Sequence, residues 1–279
     1  MKSFSFTVIL FLIASASFGQ LAKNTLDLTV SGKDRISVVK SSVHLAEWHE
    51  KAFWPLYERY LKDAVKVSSL TYRSLQDLAN TDQSVADQEA FENGWQLLTY
   101  RNEELKLRKQ YYQEVGAALN GVVALQFLQT EAMMDMLETS RIYGNSNWSK
   151  FRFHAQSLPE AQVRKAKHTL LSSAIKLAPE KEEAFWSIYN QYEDECDAVL
   201  GEGYSVYGLF TGEPSDYTPA LAKRLGNDLL QVMEREIRLK ERYYLEMNAT
   251  VGSLAAAEFL ASEDYYSVVS KMYEWAQKQ

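Results

Sequence analysis

Apolar side chains recur along this chain at intervals of three and four. Phe53, Tyr57, Tyr60, Ala64 and Val67 draw one such stripe, and Phe185, Tyr189, Tyr192, Cys196 and Val199 draw a second. That spacing places each set on one face of a helix. Leu97, Tyr100, Glu104, Leu107, Tyr111 and Glu114 continue the pattern on another predicted helix, as do Leu229, Val232, Glu236, Leu239, Tyr243 and Glu246. No run shows sustained strand alternation, and Gly and Pro are scarce, so the fold class is all-α. Short helices are predicted near 34–43 and 160–175, and long ones near 46–79 and 179–209. Second long helices end near 115 and 248, and Gly116 to Gly121 interrupts the chain before a last helix near 122–141. Thr218 before Pro219 reads as an N-cap and first helical position. Ser84 with Asp87 three residues on resembles a capping box. Pro55 lies inside its helix and predicts a bend.

The two stripes belong to a duplication. Shifted by 132 positions, FWPLYERY at 53–60 falls on FWSIYNQY, EELKLRKQYYQEV at 103–115 on REIRLKERYYLEM, and VVALQFLQTEA at 122–132 on LAAAEFLASED. Between 41–146 and 173–278 there are 25 identities in 106 positions without a gap. A period this long makes each copy a small helical unit rather than a solenoid turn. The organisation read from the sequence is a leader at 1–19, an N-terminal segment at 20–33, repeat 1 at 34–143, a linker at 144–159 and repeat 2 at 160–279. Each repeat should hold three to four helices, and the two are expected to pack as an internal pseudo-dimer.

The internal comparison assigns roles. Phe53, Tyr57, Tyr60, Phe185, Tyr189, Tyr192 and Cys196 read as structural core, with the tyrosine hydroxyls expected at the core's edge, where water or a partner satisfies them. Cys196 stands where the other copy has Ala64, which marks a small buried hydrophobe. Glu104 and Glu236 keep their place on a mostly apolar line. A carboxylate metal site would need several inward acids with Glu-x-x-His pairs. The chain has no such pair, and His44 and His49 are five apart rather than four. Boundary glutamates paired with Lys or Arg are therefore expected, with no metal. Lys106, Arg108 and Lys109, with Arg238, Lys240 and Arg242, form a basic cluster in each copy and are the candidate binding residues. No Gly-rich phosphate loop or nucleophile motif appears, so no catalytic residue and no cofactor are expected.

Charge and the N-terminus change the setting. Lys2, the apolar run Phe6 to Ala14, and small residues through Ser17 and Gly19 read as a bacterial export signal cleaved before Gln20. Without it the chain carries 29 basic and 37 acidic residues, a net charge of −8, which argues against nucleic acid as partner. The run is too short for a membrane span, so no stable membrane insertion is expected once the leader is removed. A single cysteine forms no internal disulfide, leaving packing alone to hold an exported fold.

Each unit resembles the Spy/CpxP-like periplasmic proteins, known for an LTxxQ motif. The matching stretches are LAEWH at 45–49 and LAPEK at 177–181, the latter followed by EEAFWSIYNQY. The unit ends also resemble that family: RKQYYQEV leads to LQFLQTE, and KERYYLEM to AEFLASE. Ala46 and Ala178 replace the motif threonine, removing an N-cap, and His49 and Lys181 replace the glutamine. The resemblance implies a periplasmic or secreted, non-enzymatic binding protein of envelope-stress type that holds client segments without ATP. It implies equally a signalling accessory docking on one envelope sensor or anti-sigma partner. A carboxylate metal-binding bundle is the remaining alternative. Family members pair as dimers forming a helical cradle, so one chain with two units could be a monomeric pseudo-dimer.

Overall fold

A computed structural model describes residues 32–43, 45–82, 84–146, 148, 160–210 and 217–276. The leader, residues 20–31, His44, most of the linker and the stretch 211–216 lie outside the described residues. Among the described residues there are eight helices and no strand. They are α1 (Gly32–Ser42), α2 (Glu47–Ala79), α3 (Asp87–Ala118), α4 (Gly121–Gly144), α5 (Glu160–Ala174), α6 (Pro179–Phe210), α7 (Pro219–Val251) and α8 (Ser253–Ala276). The first residues of α2, α3 and α4 lie 132 positions before those of α6, α7 and α8. No described helix is long and apolar enough to cross a membrane.

Local chemistry sets the helix ends. The Thr218 hydroxyl accepts the Leu221 amide at 3.2 Å, with Pro219 at the first helical position. Asn120 stops α3 and starts α4, because its side-chain oxygen accepts the amides of Val122 and Val123 at 2.9 and 3.0 Å. The equivalent break before α8 is Gly252, whose φ of 107° favours glycine. The expected capping box at Ser84 does not form. Ala86 is the N-cap, and the Ser84 amide and hydroxyl both donate to Asp82 instead, at 2.8 and 2.6 Å. An Asx turn thus uses the groups a capping box would need. Ala46 caps α2 without a side-chain bond, and Pro55 sits within α2, which continues through it.

The buried apolar residues form two clusters, and each draws on both halves of the chain. One gathers Phe53, Tyr57, Tyr60, Phe127 and Leu128 with Ala222, Leu225, Leu229 and Leu230 from the start of α7. The other gathers Phe185, Tyr189, Tyr192, Phe259 and Leu260 with Ala90, Leu97 and Leu98 from the start of α3. Helix α3 packs on α7 and α8, and α4 packs on α7 and α8. Helices α2 and α6 lie against α3 and α7 respectively.

Contacts between the halves come in exchanged pairs. The Tyr112 hydroxyl donates to the Lys223 carbonyl at 2.8 Å, and the Tyr244 hydroxyl donates to the Phe91 carbonyl at 2.8 Å. These are the same two positions with the halves exchanged. Each phenol lies against a helical glycine. A Cβ at Gly226 would fall within the Tyr112 ring, and one at Gly94 within the Tyr244 ring. Lys109 meets Glu234 at 2.6 Å, and Asn102 meets Glu241 in the exchanged place.

Candidate functional site

Each half contains a carboxylate sealed inside it. Glu131 on α4 is fully buried and accepts three hydrogen bonds: from Arg35 on α1 at 2.7 Å, Tyr57 at 2.9 Å and Tyr60 at 2.7 Å on α2. In the second half Glu263 on α8 accepts from Tyr189 at 2.8 Å and Tyr192 at 3.1 Å, and Lys167 on α5 lies 3.1 Å away. All four positions correspond at the 132-residue shift, with lysine replacing arginine. An isolated buried carboxylate is costly, and here one cation and two phenols balance it. Burial, and then Glu131, push the Tyr57 and Tyr60 hydroxyls well above the ordinary phenol range. Burial opposes the Arg35 charge, but Glu131 and the neighbouring tyrosines hold the guanidinium firmly protonated.

The stripe tyrosines Tyr57, Tyr60, Tyr189 and Tyr192 are buried, and their hydroxyls are not at the core's edge. They point inward to a glutamate that sequence reasoning did not single out. Two signals were present: a glutamate kept in both copies inside the most apolar helix, and a basic residue kept at 35 and 167. Cys196 is buried beside this second seat. Burial first, and then Glu263, push its thiol up to about 12, so it is no nucleophile near neutral pH.

A second polar layer lies between the halves. Arg101 on α3 meets Asp264 on α8 at 2.8 Å and Asp135 on α4 at 3.6 Å. Arg108 is 3.5 Å from Asp135, and Lys240 lies 3.0 Å from Glu236 and 3.4 Å from Asp264. Glu104 is buried among these groups. Four carboxylates thus face three cations. Burial first, and then Asp135, raise the Glu104 carboxyl above the ordinary carboxylate range, against the opposing pull of Arg108 and Arg101. Among the described residues no group of three or more His, Cys, Asp or Glu is arranged to hold a metal. Glu236 makes the expected pairing with a base, whereas Glu104 is a core residue rather than a boundary one.

The six candidate basic residues do not share a surface. Arg108 and Lys240 are buried in the central layer. Lys109 is half-buried and ties α3 to α7 through Glu234. Lys106, Arg238 and Arg242 are exposed, and each has an acidic neighbour in Glu103, Glu234 and Glu195 respectively. Charge sign alone could not separate these fates, because a helix stripe carries inward and outward bases alike.

The short helices complete each seat. In α1 and the residue after it, Arg35, Val38, Val39 and Val43 are all buried; in α5 and the residue after it, so are Lys167, Leu170, Leu171 and Ile175. Each set presents a base, two adjacent aliphatics and a last aliphatic at the same spacing. Helix α5 has further ties to α6. Arg164 reaches Glu193 and Asp194 at 2.8 and 2.7 Å, and His168 reaches Glu193 at 2.8 Å. Ile36 and Leu61 occupy the places of His168 and Glu193 in the first half. Compared with known protein families, curated proteins and solved structures, the chain finds no match in any of the three.

Proposed function

We propose that this chain is an exported, non-enzymatic binding protein that holds exposed segments of client proteins without ATP, built from two Spy-like units packed as an internal pseudo-dimer. The observation that carries the binding reading is the duplicated seat. In each half the fold holds a short amphipathic helix by one buried charge and a row of aliphatic anchors. Helix-in-groove recognition uses these same elements. The exchanged pairs at Tyr112 and Tyr244, and at Lys109 and Glu241, support the pseudo-dimer. The buried acids and bases hold helices to one another, which supports a scaffold role for them.

The test uses the mature chain and an aggregation-prone client under unfolding conditions. Near-stoichiometric protein is expected to suppress light scattering without nucleotide, at low and at moderate salt. No suppression under either condition would refute the reading. Recovery of a single stoichiometric envelope partner, in place of a heterogeneous set of clients, would replace it with a signalling role.

A further inference from the structure

The α1 seat carries more than a structural role. Helix α1 has 11 residues, fewer than the roughly 12–15 that an isolated helix needs to persist in water. Its helicity therefore depends on docking, and the route by which its seat would open is local unfolding of α1. What it leaves behind is specific: Glu131 with two phenol donors, sealed in a groove that α4 and α2 line. That groove retains Glu131 without the cation that touches it, Arg108 acting on it only at longer range. The chain shows twice what such a groove accepts. The base lies at position i, with aliphatics at i+3, i+4 and i+8, and both arginine and lysine serve. The α5 seat is held by additional ion pairs through Glu193, which the first half does not have. The first seat is thus the one that can exchange its occupant.

We propose that the α1 seat of the first half is a helix-recognition groove that takes, in trans and in competition with α1, an amphipathic client helix with Arg or Lys at i and aliphatic residues at i+3, i+4 and i+8. This rests on the binding reading above and names the site and the ligand chemistry. The client base neutralises Glu131 as Arg35 does, and the aliphatic row replaces Val38, Val39 and Val43. Competition lowers apparent affinity by the fraction of time the seat stands open, so loosening α1 raises it.

The probe is a fluorescein-labelled peptide with the sequence of residues 32–45, read by fluorescence anisotropy against the full mature chain. Two variants open the seat independently. Arg35→Ala removes the cation, and Val39→Ser weakens the anchor while leaving the ion pair intact. Circular dichroism confirms that each variant remains folded. Each is expected to bind the peptide about tenfold or more tightly than the unsubstituted chain. Adding Glu131→Gln to Arg35→Ala, or replacing the peptide's arginine by alanine, is expected to weaken binding by about tenfold or more. Equal affinity across all the proteins, or indifference to Glu131→Gln, would overturn the proposal. Dimerisation of the opened variants with the peptide excluded would overturn it too, because the seat would then serve exchange between copies. Aggregation suppression measured on the same preparations separates the two readings. Suppression without peptide binding removes only the groove; peptide binding without suppression removes only the client-holding role.

Discussion

The pair formed by Arg35 and Glu131 is open to a double-mutant cycle. Glu131→Gln keeps shape but leaves the Arg35 guanidinium, 5% exposed, opposite a neutral amide. Removing one member of a buried pair costs about 3–5 kcal/mol. The observed loss is capped, however, because α1 can undock and return Arg35 to water. The cap is the docking energy of Val38, Val39 and Val43, at roughly 1.5–3 kcal/mol per fully buried side chain before ordering entropy is subtracted. Arg35→Met leaves Glu131 with its two tyrosine donors, so its cost should be smaller, about 2–3 kcal/mol. The double variant has neither charge, and neutral replacement of a buried pair costs little. Its loss should be about 1–2 kcal/mol, which gives a coupling energy of about 3–5 kcal/mol once the cap is allowed for. Urea unfolding followed by far-UV circular dichroism supplies the four free energies. Additive losses, with a coupling below about 0.5 kcal/mol, would refute the reasoning, because Arg35 would then gain nothing from the carboxylate it touches.

Other substitutions test the rest of the account. Gly94→Ala and Gly226→Ala would each gain about 1 kcal/mol from helix propensity in an open helix. Here the new methyl meets a tyrosine ring, and both should destabilise by about 1–3 kcal/mol; a stabilised variant would contradict the close approach. The raised Glu104 carboxyl means that, between the ordinary carboxyl range and the raised folded value, the folded chain binds more proton than the unfolded chain. Its contribution is complete below the ordinary carboxyl range and is lost as pH rises through the raised folded value. Glu104→Gln should therefore flatten the fall in Tm across that window, and an unchanged slope would count against a raised Glu104 carboxyl. Cys196 should resist thiol reagents in the native chain and react fully in urea, and Cys196→Ala should cost under about 1.5 kcal/mol because Ala64 fills the equivalent place. Prompt native labelling would contradict its burial.

Helix positions were legible in the sequence because they depend on spacing along the chain. Phe53, Tyr57 and Tyr60 announce a buried face by their own intervals, and Thr218 with Pro219 announces a helix start within two residues. The seats were not legible in this way. Arg35 and Glu131 are 96 positions apart, and periodicity carries no information about which helix a side chain will meet. The central layer was hidden for a second reason: it breaks the repeat. Met233 stands where symmetry would place a second Arg101, and Ala132 where it would place a second Asp264. Comparing the copies finds what they share, so it passed over the residues that make the layer asymmetric. Arg108 and Lys240 were read as one cluster with their exposed neighbours, yet each lies four residues after an inward glutamate. The available sign was that Glu104 and Glu236 lie on the apolar stripe, so a base four residues on shares their face, whereas Glu234, four residues before Arg238, lies off it.

Calorimetry of the mature chain tests the central claim, that the two halves are one folded unit, most directly. Each apolar cluster contains helix residues from both halves, so neither can melt while the other stays intact. The account predicts a single transition whose calorimetric and van't Hoff enthalpies agree, shifted as a whole by Gly94→Ala or Gly226→Ala. Two transitions, with one variant moving only one of them, would show that the halves fold independently and would contradict the shared cores.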